Sequence, residues 1–205
     1  MSPPGDSRAS LRAEQVAQTR AALVAAGRVL FGRGGFAATS VEDVAREARV
    51  TTGALYHHFP GKAALFEAVF EQVHVELLMA SAQAAGGLAE GSVDWFAAGF
   101  DAFLDKVLEP DARQIIITDA PAVLGLARFT ELDERYAYTA IADGLRAAAS
   151  AGALRVADPE TMARLLLGAL TRAGMLIASS PEPRATRDVA AASLRALIGG
   201  FAAPS

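Results

Sequence analysis

SVEDVAREARVTTGALYHHFPGK occupies residues Ser40–Lys62, and its punctuation is that of two short helices joined by a tight turn. Ser40 is a natural N-cap, because its hydroxyl can take the backbone N–H three residues on, and Asp43 can return the bond to close a short form of the capping box. Val41, Val44, Ala45 and Ala48 then recur at the spacing of one helix face. After Arg49 and Val50, Thr51 can cap a second short helix through His58, with Leu55 pointing inward and Phe59 packing just beyond its end. Pro60 and Gly61 stop it. This spacing predicts a helix-turn-helix, whose first helix braces on a phosphate backbone while the second lies in the major groove.

The second helix is composed as a contact surface. Thr51, Thr52, Gly53 and Ala54 are small or hydroxylic, so backbone can approach closely, hydroxyls can reach base edges or phosphates, and a methyl can touch thymine. Tyr56 and His57 face away from Leu55 with donors for phosphate oxygens, and Lys62 adds a cation beside a helix N-terminus that already favours anions. Ser40 and Arg49 complete the expected DNA-binding set. Each residue has a plainer role open to it: Thr51 as a cap only, Tyr56 as packing, His57 as a surface histidine.

Charge supports the same division of labour. Residues 1–62 carry eight basic against five acidic side chains, a net +3, whereas the remainder carries eleven against eighteen, a net -7, within a total of -4. A basic N-terminal part suits a polyanion. The 205 residues are 52% hydrophobic and contain no cysteine, which excludes disulfide scaffolds, thiolate metal sites and cysteine nucleophiles. No stretch approaches the roughly 20 uninterrupted apolar residues of a membrane span and the first ten residues lack the apolar core of a signal peptide, so a cytoplasmic protein with no membrane partner is expected.

Beyond that segment the periodicity is helical throughout, so the fold class expected is all-α. Residues 1–12 read as a flexible arm, followed by a helix with Val16, Leu23, Gly27, Leu30 and Phe31 on one face, stopped by Gly32, Gly34 and Gly35. A fourth helix from Lys62 shows Leu65, Phe66, Val69, Phe70, Val73 and Leu77 and continues to Gly86. Ser92 caps a fifth, ending before Pro110, and a short sixth holds Ile115 to Ile117. Asp119 before Ala120 and Pro121 has the pattern of a cap, predicting a chain break there and a helix from about Thr130 to Ala149. Asp158 and Pro159 open a helix to about Ser179, and the last starts near Ala185. Both of these are apolar on more than one side, which predicts that they pack inward and also against a second copy through Leu166, Ala169, Ala173, Leu194, Leu197, Ile198 and Phe201. The alternative is that both are central core helices.

Trp95, Phe96, Phe100, Phe103, Phe129, Tyr136, Tyr138 and Met175 are candidates for an apolar ligand pocket, or plain core. The acidic pairs Asp133–Glu134 and Asp101–Asp105 lack an accompanying histidine in sequence and read as solvated helix faces, so no catalytic residue and no cofactor is expected. His57 and His58 point about 100° apart on a helix, and the metal assignment is none.

The segment Thr19–Phe70 closely resembles the DNA-binding head of tetracycline-repressor (TetR) family regulators. The marks are Leu30-Phe31, Gly35-Phe36, Thr39-Ser40-Val41, Val44-Ala45, Ala48, Val50, Gly53, Leu55-Tyr56-His57-His58-Phe59 and Lys62, in the family's order and spacing. Asp119–Gly125 is similar to a segment of one subgroup. The chain departs at Arg49, where glycine is usual in the turn, and at Ala63, where an acid is common. The resemblance implies a helix-turn-helix domain over 13–62 and a ligand-binding and dimerisation domain over 63–205. It also implies a homodimeric, ligand-responsive repressor of a pseudo-palindromic operator, released by a small, largely apolar effector and without enzymatic activity. A helical bundle whose head does not read DNA is the alternative.

Overall fold

A computed structural model of the chain describes the backbone of residues 5–203 and the side chains of residues 10–203. Among these residues the fold is all-α, with a single isolated antiparallel bridge between Leu154 and Ala202. Helix α1 spans Gly5–Ala38, α2 Val41–Glu47, α3 Thr52–His58 and α4 Lys62–Ala84. Leu23, Phe31, Val44, Leu55, Leu65, Phe66 and Val69 are all at 0% exposure and form the core that joins these four. The rings of Phe31, Phe36 and Phe66 lock it, with centroids 5.3 to 5.8 Å apart. Full burial of each such side chain is worth about 1.5–3 kcal/mol.

Three expectations are corrected in α1. The helix starts by Gly5, so the predicted arm over 1–12 is helical where it is described, and residues 1–4 lie outside the described residues. Val16 is exposed, since α1 projects beyond the head core there. Gly32 and Gly34 lie within the helix, and the break is at Gly35 alone (φ 77°, ψ 168°). Gly32 serves close approach instead: a Cβ there would lie 2.6 Å from the Asp111 Cβ.

The body follows from α4, which at 23 residues extends roughly 35 Å. Helix α5 (Val93–Leu108), capped by Ser92, packs on α4 and on two later helices, α9 (Pro159–Ser179) and α10 (Pro183–Gly199). Between them runs a nearly continuous rod: α6 (Pro110–Arg113), a π turn π1 (Gln114–Asp119), α7 (Ala120–Asp133), a second π turn π2 (Glu134–Tyr138) and α8 (Thr139–Ser150). The chain does not break at Asp119, whose side chain makes no cap; it bends at Gly125 (φ 74°, ψ 157°). Phe201 is tied to its own chain, its carbonyl accepting the Arg155 N–H at 2.7 Å.

Ser10–Ala38 and Pro159–Ser179 are long and apolar enough to cross a membrane by length and composition. Here both pack as helices of the bundle, α1 against α4 and α6, α9 against α5, α8 and α10.

Candidate functional site

The tight turn holds α3 as the sequence predicts. The Ser40 hydroxyl accepts the Asp43 N–H at 3.1 Å while the Asp43 carboxylate takes the Ser40 N–H, completing the capping box. Thr51 Oγ1 accepts the Ala54 N–H at 3.1 Å. Leu55 is fully buried and Phe59 nearly so, which fixes the helix and turns Thr51, Thr52, Gly53, Tyr56 and His57 to solvent, with Ala54 half-buried beside them. Thr51 thus caps with its lone pair and keeps its hydroxyl proton to donate.

Two members of the expected DNA-binding set, Ser40 and Lys62, are placed differently. Ser40 is half-buried and its hydroxyl also donates to Asp43 Oδ2 at 2.6 Å, so both its functions are committed to the cap. That bond, with help from Arg46, holds the Asp43 carboxyl below the usual aspartate range. The Lys62 ammonium does not project outward: it donates to the Phe36 carbonyl at 2.8 Å and the Thr39 carbonyl at 2.9 Å and lies 4.2 Å from the Phe36 ring centroid. It closes the open carbonyls where α1 ends, a structural role that the phosphate assignment did not foresee. Arg49 is exposed and adopts φ 58°, the left-handed conformation that glycine would occupy without strain.

The segment that follows Gly35 joins this head to the body. The Phe36 N–H donates to Asp119 Oδ2 at 2.7 Å, so the carboxylate that resembled a helix cap instead holds the end of α1 against π1. Arg28, also on α1, pairs with Glu76 of α4 at 3.2 Å and lies 3.1 Å from Asp111 of α6.

A cavity of about 150 Å³ opens within the body between α4, α5, π2 and α9. Trp95, Phe96, Phe100, Phe103 and Tyr136 line it as the aromatic stripe predicts, but Phe129, Tyr138 and Met175 do not. Phe129 is drawn into core against Phe70, Tyr138 bonds Glu160 under Arg164, and Met175 packs against the core from a half-buried position. Burial and the nearby Glu71 carboxylate hold the Tyr136 hydroxyl above the usual tyrosine range. The wall contains a polar group that the sequence did not disclose. His74, 2% exposed, has Nδ1 3.1 Å from the Phe70 carbonyl and Nε2 3.4 Å from Asp133 Oδ1, while Thr171 Oγ1 donates to Asp133 Oδ2 at 3.2 Å.

That contact corrects the view that no histidine accompanies Asp133. It does not make a catalytic constellation, because the Thr171 hydroxyl is directed at the carboxylate and not at the imidazole that would have to activate it. Glu134 pairs with Arg164, and Asp101 and Asp105 pair with Arg187. Among the described residues no cluster of three or more histidine, aspartate or glutamate side chains is placed to hold a metal.

Most of the residues expected to pair two copies are taken up inside the protomer. Leu166, Ala173, Leu194 and Ile198 are buried within the protomer, and Ala169 and Phe201 are half-buried, in a bundle where α9 packs on α5, α8 and α10, and α10 on α5 and α9. Leu165, Leu176 and Val189 join Leu197 on the outside, at 63%, 47%, 67% and 45% exposure.

A family model for bacterial regulatory proteins of the tetR family matches residues 23–69. A second, for the C-terminal domain of tetracyclin-repressor-like proteins, matches residues 93–201. The chain belongs to the TetR family. A TetR-family transcriptional regulator from Pectobacterium atrosepticum is 33% identical to it, with 93% of this chain and 97% of that one covered at TM-score 0.81. RolR, solved with resorcinol, shares the fold at 20% identity and TM-score 0.73, over 91% of this chain and 90% of its own. The Tn10 TetC protein of Escherichia coli is 29% identical over 127 residues, 60% of this chain and 61% of TetC. TtgR of Pseudomonas putida is 39% identical over 61 residues, 30% of this chain and 29% of TtgR. The chain therefore spans about three-fifths of TetC and under a third of TtgR in these matches.

In this TetR-family protein the side chains whose long-range partners the sequence did not disclose are His74, Asp133, Thr171 and Asp119. Two of the four carried a signal: Asp119 is an acid in an otherwise apolar stretch, and His74 falls on the buried stripe of α4, where an ionisable residue needs a partner, whereas Asp133 is one charge among Glu131, Glu134 and Arg135. Thr171 carried none.

Proposed function

We propose that this TetR-family regulator is a cytoplasmic homodimer that represses transcription by seating its two α3 helices in successive major grooves of a pseudo-palindromic operator. A small, largely apolar effector in the α4–α5–π2–α9 cavity releases it. The observation that carries this reading is the α3 face, where Thr51, Thr52, Gly53, Tyr56 and His57 are open to solvent around the fully buried Leu55. Such a helix is rigid and uncovered, as groove recognition requires. The outward stripe of Leu165, Leu176, Val189 and Leu197 suits a two-fold interface in which the same patch serves both copies. Residues 13–62 act as the reading head and the remainder as the sensing and pairing body. The protein works by binding and not by catalysis, since its buried polar group lacks an activated nucleophile.

Release requires that the effector prefer a head arrangement that misfits the operator, and coupling of about 1–3 kcal/mol lowers operator affinity roughly 5- to 150-fold. The path is short. Helix α4 carries His74, Leu77 and Ser81 at the cavity and Lys62 at its other end, where Lys62 grips the residues after Gly35 that Asp119 holds from the body side. Movement of α4 against π1 is therefore movement of α3. Insertion of half a helical turn of DNA, about 5 base pairs, between operator half-sites should abolish tight binding. Affinity unchanged by the insertion would overturn the paired-groove arrangement.

A further inference from the structure

We infer that the effector is a small, uncharged hydroxylated aromatic of the phenol class, whose ring fills the cavity and whose hydroxyl engages Asp133 and His74 together. The inference rests on the effector-released reading above and adds the chemical class.

Size sets the first limit. A cavity of about 150 Å³ admits one aromatic ring with small substituents, the volume at which an apolar protein cavity takes up benzene. Its shape follows from Trp95, Phe96, Phe100 and Phe103, which offer faces and edges to a flat guest.

The polar wall sets the second. His74 Nδ1 faces a carbonyl oxygen, which can only accept, so Nδ1 must carry a proton. Nε2 faces Asp133 Oδ1, also an acceptor when ionised, so a proton must lie between these two atoms as well. The pair then holds either imidazolium with carboxylate or neutral imidazole with carboxylic acid, and in both states its net charge is zero. At 3.4 Å the contact is long for such a bond, and Asp133 retains lone pairs beyond those used by His74 and by the single shared proton of Thr171.

A hydroxyl meets the unmet capacity of Asp133 by donating to it, and by entering the long His74–Asp133 contact it can accept at the same oxygen the proton that Nε2 carries when the pair is imidazolium with carboxylate. The other charged groups near the pair, Glu71 and Arg135, already contact each other at 3.4 Å, so neither offers an isolated charge to a charged guest. A ligand carboxylate would meet the Asp133 oxygens with like charge, and an ammonium would meet the His74 donor; both would enter a cavity with no net charge to balance them.

The test uses the full-length dimer and four single-ring probes: phenol, toluene, benzoate and benzylammonium, titrated by calorimetry without DNA. Phenol should bind, toluene roughly ten- to a hundredfold more weakly, and the two ions more weakly still. Asp133→Leu should remove the preference for phenol over toluene while still binding toluene, and Thr171→Val, a milder change, should narrow it. Equal affinity for phenol and toluene, preference for either ion, or no binding of phenol to the folded dimer would each overturn the class. A parallel titration of the duplex spanning the protein's own promoter distinguishes the two levels of claim. Duplex binding without any phenol binding refutes only the class, whereas phenol binding by a protein that binds no duplex refutes the regulator reading and leaves the site standing.

Discussion

Arg49→Gly should make the protein more stable while weakening its hold on DNA. Arg49 is the only non-glycine residue with positive φ among the described residues, at 58°, and L residues pay about 1–2 kcal/mol for that conformation. Glycine relieves the strain but loses about 0.5–1 kcal/mol through the greater freedom of its unfolded chain. The net gain lies between about 0 and 1.5 kcal/mol, centred on about 0.75 kcal/mol, or about 2–3 °C in Tm for a chain of this size. The turn survives the change because its bonds are backbone ones, Val50 N–H to the Ala45 carbonyl at 2.9 Å and Arg49 N–H to the Arg46 carbonyl at 3.1 Å. Arg49→Ala supplies the control, since it removes the guanidinium and keeps the strain. Thermal unfolding at one fixed protomer concentration should place glycine above both alanine and the native protein, and operator titration should show both variants weakened alike. A glycine variant no more stable than the alanine variant would refute the strain argument, whatever happened to DNA binding.

Leu197→Arg should split the dimer into folded monomers by light scattering, whereas Ile198→Arg should unfold the chain, because one side chain is 45% exposed and the other fully buried; a Leu197→Arg protein that remains dimeric would remove α10 from the interface. Asp119→Ala should preserve effector and operator binding measured separately yet shrink the effect of each on the other, since the Phe36 N–H loses its partner across π1; titrations of effector with and without operator measure this, and undiminished coupling would place the path elsewhere. Acid should loosen the caps of α2 and α9: hydrogen bonds from Ser40 and Thr161 hold Asp43 and Asp158 below the ordinary 3.8, so their stabilisation is present above that value and is lost as pH falls through the lower folded values. The stability gap between the native protein and Asp43→Asn or Asp158→Asn should therefore close below about pH 4, and a gap that widens in acid would reverse the sign.

What was legible in the sequence was local. Ser40, Thr51, Ser92 and Asp158 cap the helices they precede, and the α4 stripe from Leu65 to Leu77 is buried as its spacing predicts, because caps and stripes are decided within a few residues. The aromatic stripe of α5 was visible for the same reason. Contacts between distant segments were not. Asp119 has the local pattern of a cap and is used across 83 residues on Phe36; His74 and Asp133, 59 apart in sequence, become a pair only when the end of α7 meets α4. Which side of α9 and α10 faces outward was equally hidden, since the packing of the bundle buries the side bearing Leu166, Ala173, Leu194 and Ile198, and nothing within either helix says so. Lys62 shows the limit of spacing: its position beside α3 was clear, and the carbonyls that capture it were not.

The inward turn of two cations alters how the head's +3 should be understood. Arg28, 14% exposed between Glu76 and Asp111, and Lys62, bonded to two carbonyls, are counted among the eight basic side chains of residues 1–62 but are spent within the protein. Counterions leave DNA only where a cation replaces them at a phosphate, about 0.9 in the slope of log affinity against log salt for each phosphate neutralised. Ionic strength therefore acts on the arginines that point outward, such as Arg49, and barely on the knot that Arg28 makes between α1, α4 and α6. Raising the salt should thus weaken binding to DNA while leaving intact the joint between α1, α4 and α6 through which the proposed coupling would run.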